Sequence, residues 1–142
     1  MKKAIALLLA LVMVFALCAC GGGDKGTADN GEKVVKIGVF EPASGDSGAG
    51  GKKEMLGMQY ANQETPTVEI GGETYKVELV YSDNGSDSAK AVSAASKLVN
   101  EKVSIVLGSY GSGVSIAASD TFKQAGIPAI GVTCTNPNVT AG

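Results

Sequence analysis

The chain has 142 residues, a net charge of −2, three cysteines and no histidine, with 44% hydrophobic but only 5% aromatic residues. All twelve basic residues are lysines, scattered among fourteen acids, so no basic stripe that could track nucleic-acid phosphates is visible. Without histidine, the commonest general base and every Ser-His or Cys-His nucleophile pair are excluded, while carboxylate and lysine chemistry stay open.

The N-terminus reads as an export signal. Lys2 and Lys3 precede an unbroken apolar core from Ala4 to Phe15, and Leu17-Cys18-Ala19-Cys20 follows with small residues before a cysteine. The apolar run is shorter than the ~20 residues a spanning helix needs, so cleavage is expected, with an uncleaved anchor as the alternative. The Leu-x-Ala-Cys ending resembles the bacterial lipobox, which implies a signal peptide over residues 1–19 and a lipid on the Cys20 thiol. Removing residues 1–19 takes two of the twelve lysines and no acid, moving the net charge from −2 to −4. Membrane attachment would then come from the lipid. With Cys18 removed and Cys20 acylated, Cys134 stands alone, which excludes an intrachain disulfide and argues against a zinc cluster; no metal or cofactor is expected.

Residues 20–33 are rich in Gly and Asp and lack an apolar anchor. They read as a flexible tether, whose span grows as roughly 5–6 Å times the square root of its length.

Residues 34–142 then alternate in texture. Val34 to Phe40 is a β-branched run without clean polar alternation, as in a strand buried on both faces. Lys52 to Glu64 carries Met55, Leu56, Met58 and Tyr60 at helical spacings and is ended by Pro66. A small hairpin around Gly71-Gly72 leads into a strand over Tyr75 to Tyr81. Ser86 or Asp87 caps a helix whose Ala89, Val92, Ser96 and Val99 share a face, flanked by Ala91, Ala95 and Leu98, and which ends near Lys102. Val103 to Leu107 is a short strand. Val114, Ala118, Phe122 and Ala125 then mark a helix closed by Gly126, and Ile127 to Val132 is a fourth strand.

The order β-α-β-α-β-α-β predicts an α/β fold with a doubly wound parallel sheet. The loops at 43–51, 109–113 and 133–137 each follow a strand, so all three are expected at the carboxyl edge, where such sheets bind ligands. They offer Ser44, Ser47, Ser109, Ser112, Thr133 and Thr135 and a single acid, Asp46. That suits a small polar ligand held by neutral hydrogen bonds, and the N-terminus of the helix near Ser112 would favour a carboxylate. Ser112 also reads as a helix N-cap, which is compatible with binding. Cys134 reads as a small buried hydrophobe, and Met55 and Met58 as core filler. A phosphate loop fails on spacing: reading back from Gly51-Lys52, Asp46 and Lys53 stand where glycine and Ser/Thr are needed. No dinucleotide fingerprint follows Gly48-x-Gly50 or Gly111-x-Gly113.

The stretches Gly108-Ser-Tyr-Gly-Ser112, Ala117-Ala-Ser-Asp120 and Gly126-Ile-Pro-Ala-Ile-Gly-Val-Thr-Cys-Thr-Asn-Pro-Asn-Val-Thr140, with Ser44-Gly45 and the 83–87 loop, resemble the amino lobe of the leucine/isoleucine/valine-binding protein family. These are periplasmic-binding-protein type I receptors. The resemblance spans about residues 35–142. It implies a first Rossmann-like lobe of a two-lobe fold, truncated here, in an extracytoplasmic lipoprotein that passes an amino acid ligand to ABC transporter permease subunits. It also implies that Ser112 and Thr135 hold the ligand α-carboxylate and α-ammonium, with main-chain contacts at Thr133 and Cys134. At Gly50 the chain departs from members that place an aromatic there. Residues 34–142 would form an incomplete N-terminal ligand-binding lobe, because the second lobe and its share of the site are absent. A binding protein for another small polar solute, a lipid-anchored flavodoxin-like enzyme and an adhesion lipoprotein share these features; the enzyme would need a cofactor loop or catalytic pair, and neither is found.

Overall fold

The structure is a computed structural model describing residues 32–141. The signal peptide, Cys20 and all of the tether before Glu32 therefore lie outside the described residues. Five strands and three helices follow one another: β1 (Val34–Val39), α1 (Gly48–Glu64), β2 (Thr67–Ile70), β3 (Glu73–Tyr81), α2 (Ser88–Asn100), β4 (Ile105–Leu107), α3 (Ser112–Ala125) and β5 (Ala129–Ile130), with a 3₁₀ turn over Pro137–Thr140.

The sheet order is β2-β3-β1-β4-β5, with β1 in the centre. β1 runs parallel to β3 and β4, and β4 parallel to β5. One edge corrects the all-parallel expectation: β2 pairs antiparallel with β3, Ile70 facing Glu73 across Gly71 and Gly72. Both glycines have positive φ, 61° and 82°, as a two-residue turn matched to strand twist requires. The hairpin foreseen at this point thus adds a fifth strand. β5 is only two residues long, shorter than the 127–132 expectation.

Strand alternation sorts the core onto two faces. Ile37, Val77, Leu79 and Leu107 face α1. On the other face, Phe40, Leu98, Val103, Val106, Val114, Ala118 and Phe122 form a buried cluster with the alanines of α2. The Phe40 and Phe122 rings meet edge to face at 5.5 Å between centroids, a favourable aromatic geometry. Gly38 in β1 permits this packing, since a β-carbon there would lie 3.1 Å from Leu98 Cδ1 and Val106 Cγ2.

Asp87 is the cap of α2, accepting the Ala89 N–H at 2.8 Å. The buried residues of α2 are Ala91, Ala94, Ala95 and Leu98, so its core face is the flank of the expected stripe, and Val92 points outward. Small side chains there let α2 approach α3 and the sheet closely, which a valine would prevent. In α3 the expected Val114, Ala118 and Phe122 are buried, and Gly126 closes the helix at φ 68°, a left-handed cap that glycine adopts without strain.

Candidate functional site

The three expected loops, after β1, β4 and β5, meet at the carboxyl edge, and the loop after the parallel strand β3 joins them there. Phe40 N–H donates to the Leu107 carbonyl at 2.8 Å, joining the end of β1 to the end of β4. Tyr110 N–H donates to Glu41 Oε2 at 2.8 Å, and Thr133 Oγ1 donates to the Tyr110 carbonyl at 3.4 Å. The last loop docks on α3: Ser112 Oγ accepts the Thr135 N–H at 3.1 Å and the Asn136 N–H at 3.3 Å.

Ser112 is the first helical residue of α3, and Gly111 is its N-cap. That corrects the N-cap reading of Ser112. Its hydroxyl instead organises a neighbouring loop, and with both lone pairs engaged its proton is the group left to donate. The first N–H groups of α3 lack intrahelical acceptors. Thr135 is exposed, next to a shallow pocket of about 260 Å³ that Cys134 and Asn136 also line. Cys134 is a free, half-buried thiol, 3.2 Å from Ser115 Oγ and 3.4 Å from the Ser109 carbonyl oxygen, so its side chain is occupied in seating the loop.

Two of the expected polar groups serve the scaffold. Ser44 Oγ donates to Asp83 Oδ2 at 2.7 Å. Ser109 is fully buried and accepts from Asn84 Nδ2 at 3.0 Å. Residues 43–47 are stitched to 83–86: Asp83 Oδ1 takes the N–H groups of Ala43 and Gly85 at 2.8 Å, and Ser86 Oγ takes that of Ser47 at 2.9 Å. Desolvation opposes ionisation of Asp83, but the Ser44 hydroxyl and the N–H groups of Gly85, Ala43 and Ser44 outweigh it and hold the carboxyl below its ordinary 3.8.

Sequence reasoning passed over Glu41, Asn84 and Tyr110. Asn84 is wholly buried and its Nδ2 also donates to the Phe40 carbonyl at 3.1 Å, locking the β3–α2 loop to β1. Tyr110 is 43% exposed, with its ring over Gly50, where a β-carbon would lie 2.5 Å from it. The missing side chain at 50 is therefore matched by an aromatic from the opposite loop. An acid directly after an apolar strand and an aromatic inside a Gly/Ser loop were the signals that could have found Glu41 and Tyr110. Among the described residues, no group of three His, Cys, Asp or Glu could hold a metal.

A larger groove lies elsewhere, between α1 and the sheet, with a volume of about 540 Å³. Its walls are apolar apart from a few side chains such as Glu54 and Asn62, so it lacks the convergent donors of the carboxyl edge.

Residues 34–142 match a sequence family described as periplasmic binding protein. A Leu/Ile/Val-binding protein homolog 2 from Brucella abortus (strain 2308) is 34% identical over 129 residues, covering 91% of this chain and 33% of the relative. Among solved structures, a leucine binding protein, LivK, from Thermotoga maritima MSB8 is similar at 36% identity and a TM-score of 0.70, covering 77% of this chain and 30% of that one. LivJ from Streptococcus pneumoniae, a branched-chain amino acid transporter substrate binding protein in complex with isoleucine, is similar at 34% identity and a TM-score of 0.68, covering 78% and 32%. The chain spans about a third of the length of these relatives.

Proposed function

This chain belongs to the periplasmic binding protein family, and from that premise we propose that the full-length protein is an extracytoplasmic receptor for branched-chain or related amino acids. It binds the solute between two lobes, of which residues 34–142 supply the first, and hands it unaltered to ABC transporter permease subunits. The observation that carries this reading is the Ser112 hydroxyl, whose lone pairs are filled by the Thr135 and Asn136 N–H groups. Its proton and the first N–H groups of α3 form a donor set suited to a carboxylate. The exposed Thr135 hydroxyl accepts from the ligand ammonium, and main-chain atoms of Thr133 and Cys134 complete this half of the site. Tyr110, over Gly50, offers an apolar wall to the ligand side chain. The amino acid class is supported by relatives described as Leu/Ile/Val-binding and leucine binding proteins.

Hydrogen bonds to charged groups are the stronger kind, so in the full-length protein Ser112→Ala and Thr135→Ala should each cost about 1.5–3 kcal/mol of leucine, isoleucine or valine binding, roughly ten- to a hundredfold in affinity. Thr133→Ala is the control, because its hydroxyl turns to the Tyr110 carbonyl, and it should weaken binding far less. Calorimetric titration decides the matter; equal losses at all three positions, or none at 112 and 135, would place the site elsewhere.

The same protein is proposed to be tethered by a lipid at Cys20, after cleavage of residues 1–19 and ahead of a flexible segment to residue 33. Cys20→Ser should abolish fatty-acid labelling and leave the protein unprocessed or released. Undiminished labelling would overturn the anchor without touching the ligand site.

A further inference from the structure

Glu41 leaves the carboxyl end of β1 and turns under the binding loops, only 1% exposed. Its Oε2 accepts the Tyr110 N–H, and a β-carbon on Gly108 would lie 2.7 Å from its Oε1, so the side chain lies along the segment that ends at Ser112. Oε1 and both carboxyl oxygens of Glu54, on α1, are buried without a donor. Glu54 is the one titratable group that acts on Glu41, and the 108–112 segment offers it only the Tyr110 N–H. The nearby Asp83 is held by Ala43, Ser44 and Gly85. Among the described residues, no lysine forms an ion pair with either acid.

Two ionised carboxylates in such a place would each lack donors and repel one another, at a cost several times that of an ordinary hydrogen bond. One proton removes the repulsion and joins two of the three orphaned oxygens, because a protonated carboxyl is a donor to its neighbour. We propose that Glu41 and Glu54 share a single proton and, as a hydrogen-bonded acid pair, are positioning residues that clasp the 108–112 segment to α1 and so present Ser112 to the ligand. The claim about Ser112 rests on the proposed binding function; the shared proton does not.

Burial, then the hydrogen bond and charge of Glu54, push the Glu41 carboxyl from 4.5 up to about 8, against a smaller opposing pull from the Tyr110 N–H. The unfolded chain releases this proton near 4.5 and the folded chain keeps it to about 8. The contribution to stability is therefore whole below the lower value and is lost as pH rises through the window up to the higher one. Above it Glu41 is charged and the clasp opens.

The test uses the full-length protein, with infrared spectroscopy for the carbonyl band of a protonated carboxyl and titration of L-leucine, each from about pH 6 to about pH 10. In the wild type the acid band should be present at neutral pH and vanish near pH 8, and leucine affinity should fall roughly tenfold across the same range. Glu41→Gln and Glu54→Gln each replace the shared proton by an amide donor. Either should remove the acid band, keep neutral-pH affinity and flatten the pH profile, so one variant suffices if the other fails to fold. Absence of the band in the wild type would overturn the shared proton. A band that titrates while affinity stays flat would overturn the positioning role. Loss of leucine binding at every pH, with the band intact, would instead count against the binding function.

Discussion

On one face of the sheet, α2 and α3 bury Ala91, Ala94, Ala95, Leu98, Val114, Ala118 and Phe122. On the other, α1 buries only Gly48 and Gly51 and leaves Leu56 and Tyr60 63% and 65% exposed. Both faces support the same carboxyl-edge loops, yet by different means. The α2/α3 face holds them through a close-packed core beneath Ser109 and Ser112. The α1 face holds them at its first turns alone, where Gly51 sits under Pro42, Gly50 under Tyr110, and Glu54 meets Glu41. The contrast shows that a helix can be indispensable to a site at its N-terminus and tolerant over the rest of its length.

The sharpest way to break this contrast is at the centre of the packed face. Leu98 is fully buried and among the largest such side chains, touching the space above Gly38. Leu98→Ala in the full-length protein should lower the stability of this lobe by about 2–5 kcal/mol, the range for a leucine deletion that leaves a cavity. Denaturant titration followed by a probe within residues 34–142 reads this directly. A loss below about 1 kcal/mol would mean that the cluster can collapse around the gap and is not the rigid support inferred here.

The same contrast explains which parts of the fold were legible. For α3 the steps Val114, Ala118 and Phe122 and the stop at Gly126 state their structure locally, and so does the cap at Asp87 for α2. The centre of the α2 stripe was misplaced because Val92 outranks alanine in hydrophobicity, whereas tight packing selects the smaller residue. The start of α1 at Gly48 was unreadable for a related reason: three glycines in its first turn are poor helix formers, and the overriding cause is the nearness of Pro42 and Tyr110. The carboxyl-edge loops could be grouped from strand order alone, while Ser112, Thr133, Cys134 and Thr135 as ligand residues are a proposal that the family resemblance suggested. Glu41 was signalled only by its place directly after an apolar strand, and Asn84 not at all, because their partners, Tyr110 for one and Phe40 and Ser109 for the other, are remote in sequence. Counting loop hydroxyls also overlooked that those of Ser44 and Ser109 are engaged by Asp83 and Asn84.

The smallest expected effect lies on the opposite face and completes the comparison. Leu56 is on α1 two residues beyond Glu54, 63% exposed, so little of its apolar surface is removed from water in this lobe. Leu56→Ser exchanges a good helix former for a weaker one at a cost of a few tenths of a kcal/mol, and surface changes of this kind stay within about 0.5 kcal/mol. The same denaturant titration in the full-length protein should therefore place Leu56→Ser close to the wild type and far from Leu98→Ala. Leucine affinity should be unchanged, because the first turns of α1 that carry Gly50, Gly51 and Glu54 are untouched. A loss above about 1.5 kcal/mol, the scale for exposing a buried leucine side chain, would show that a segment outside residues 32–141 covers α1 in the full-length protein. The two faces would then be equally packed, and the tolerance assigned to the body of α1 would be wrong.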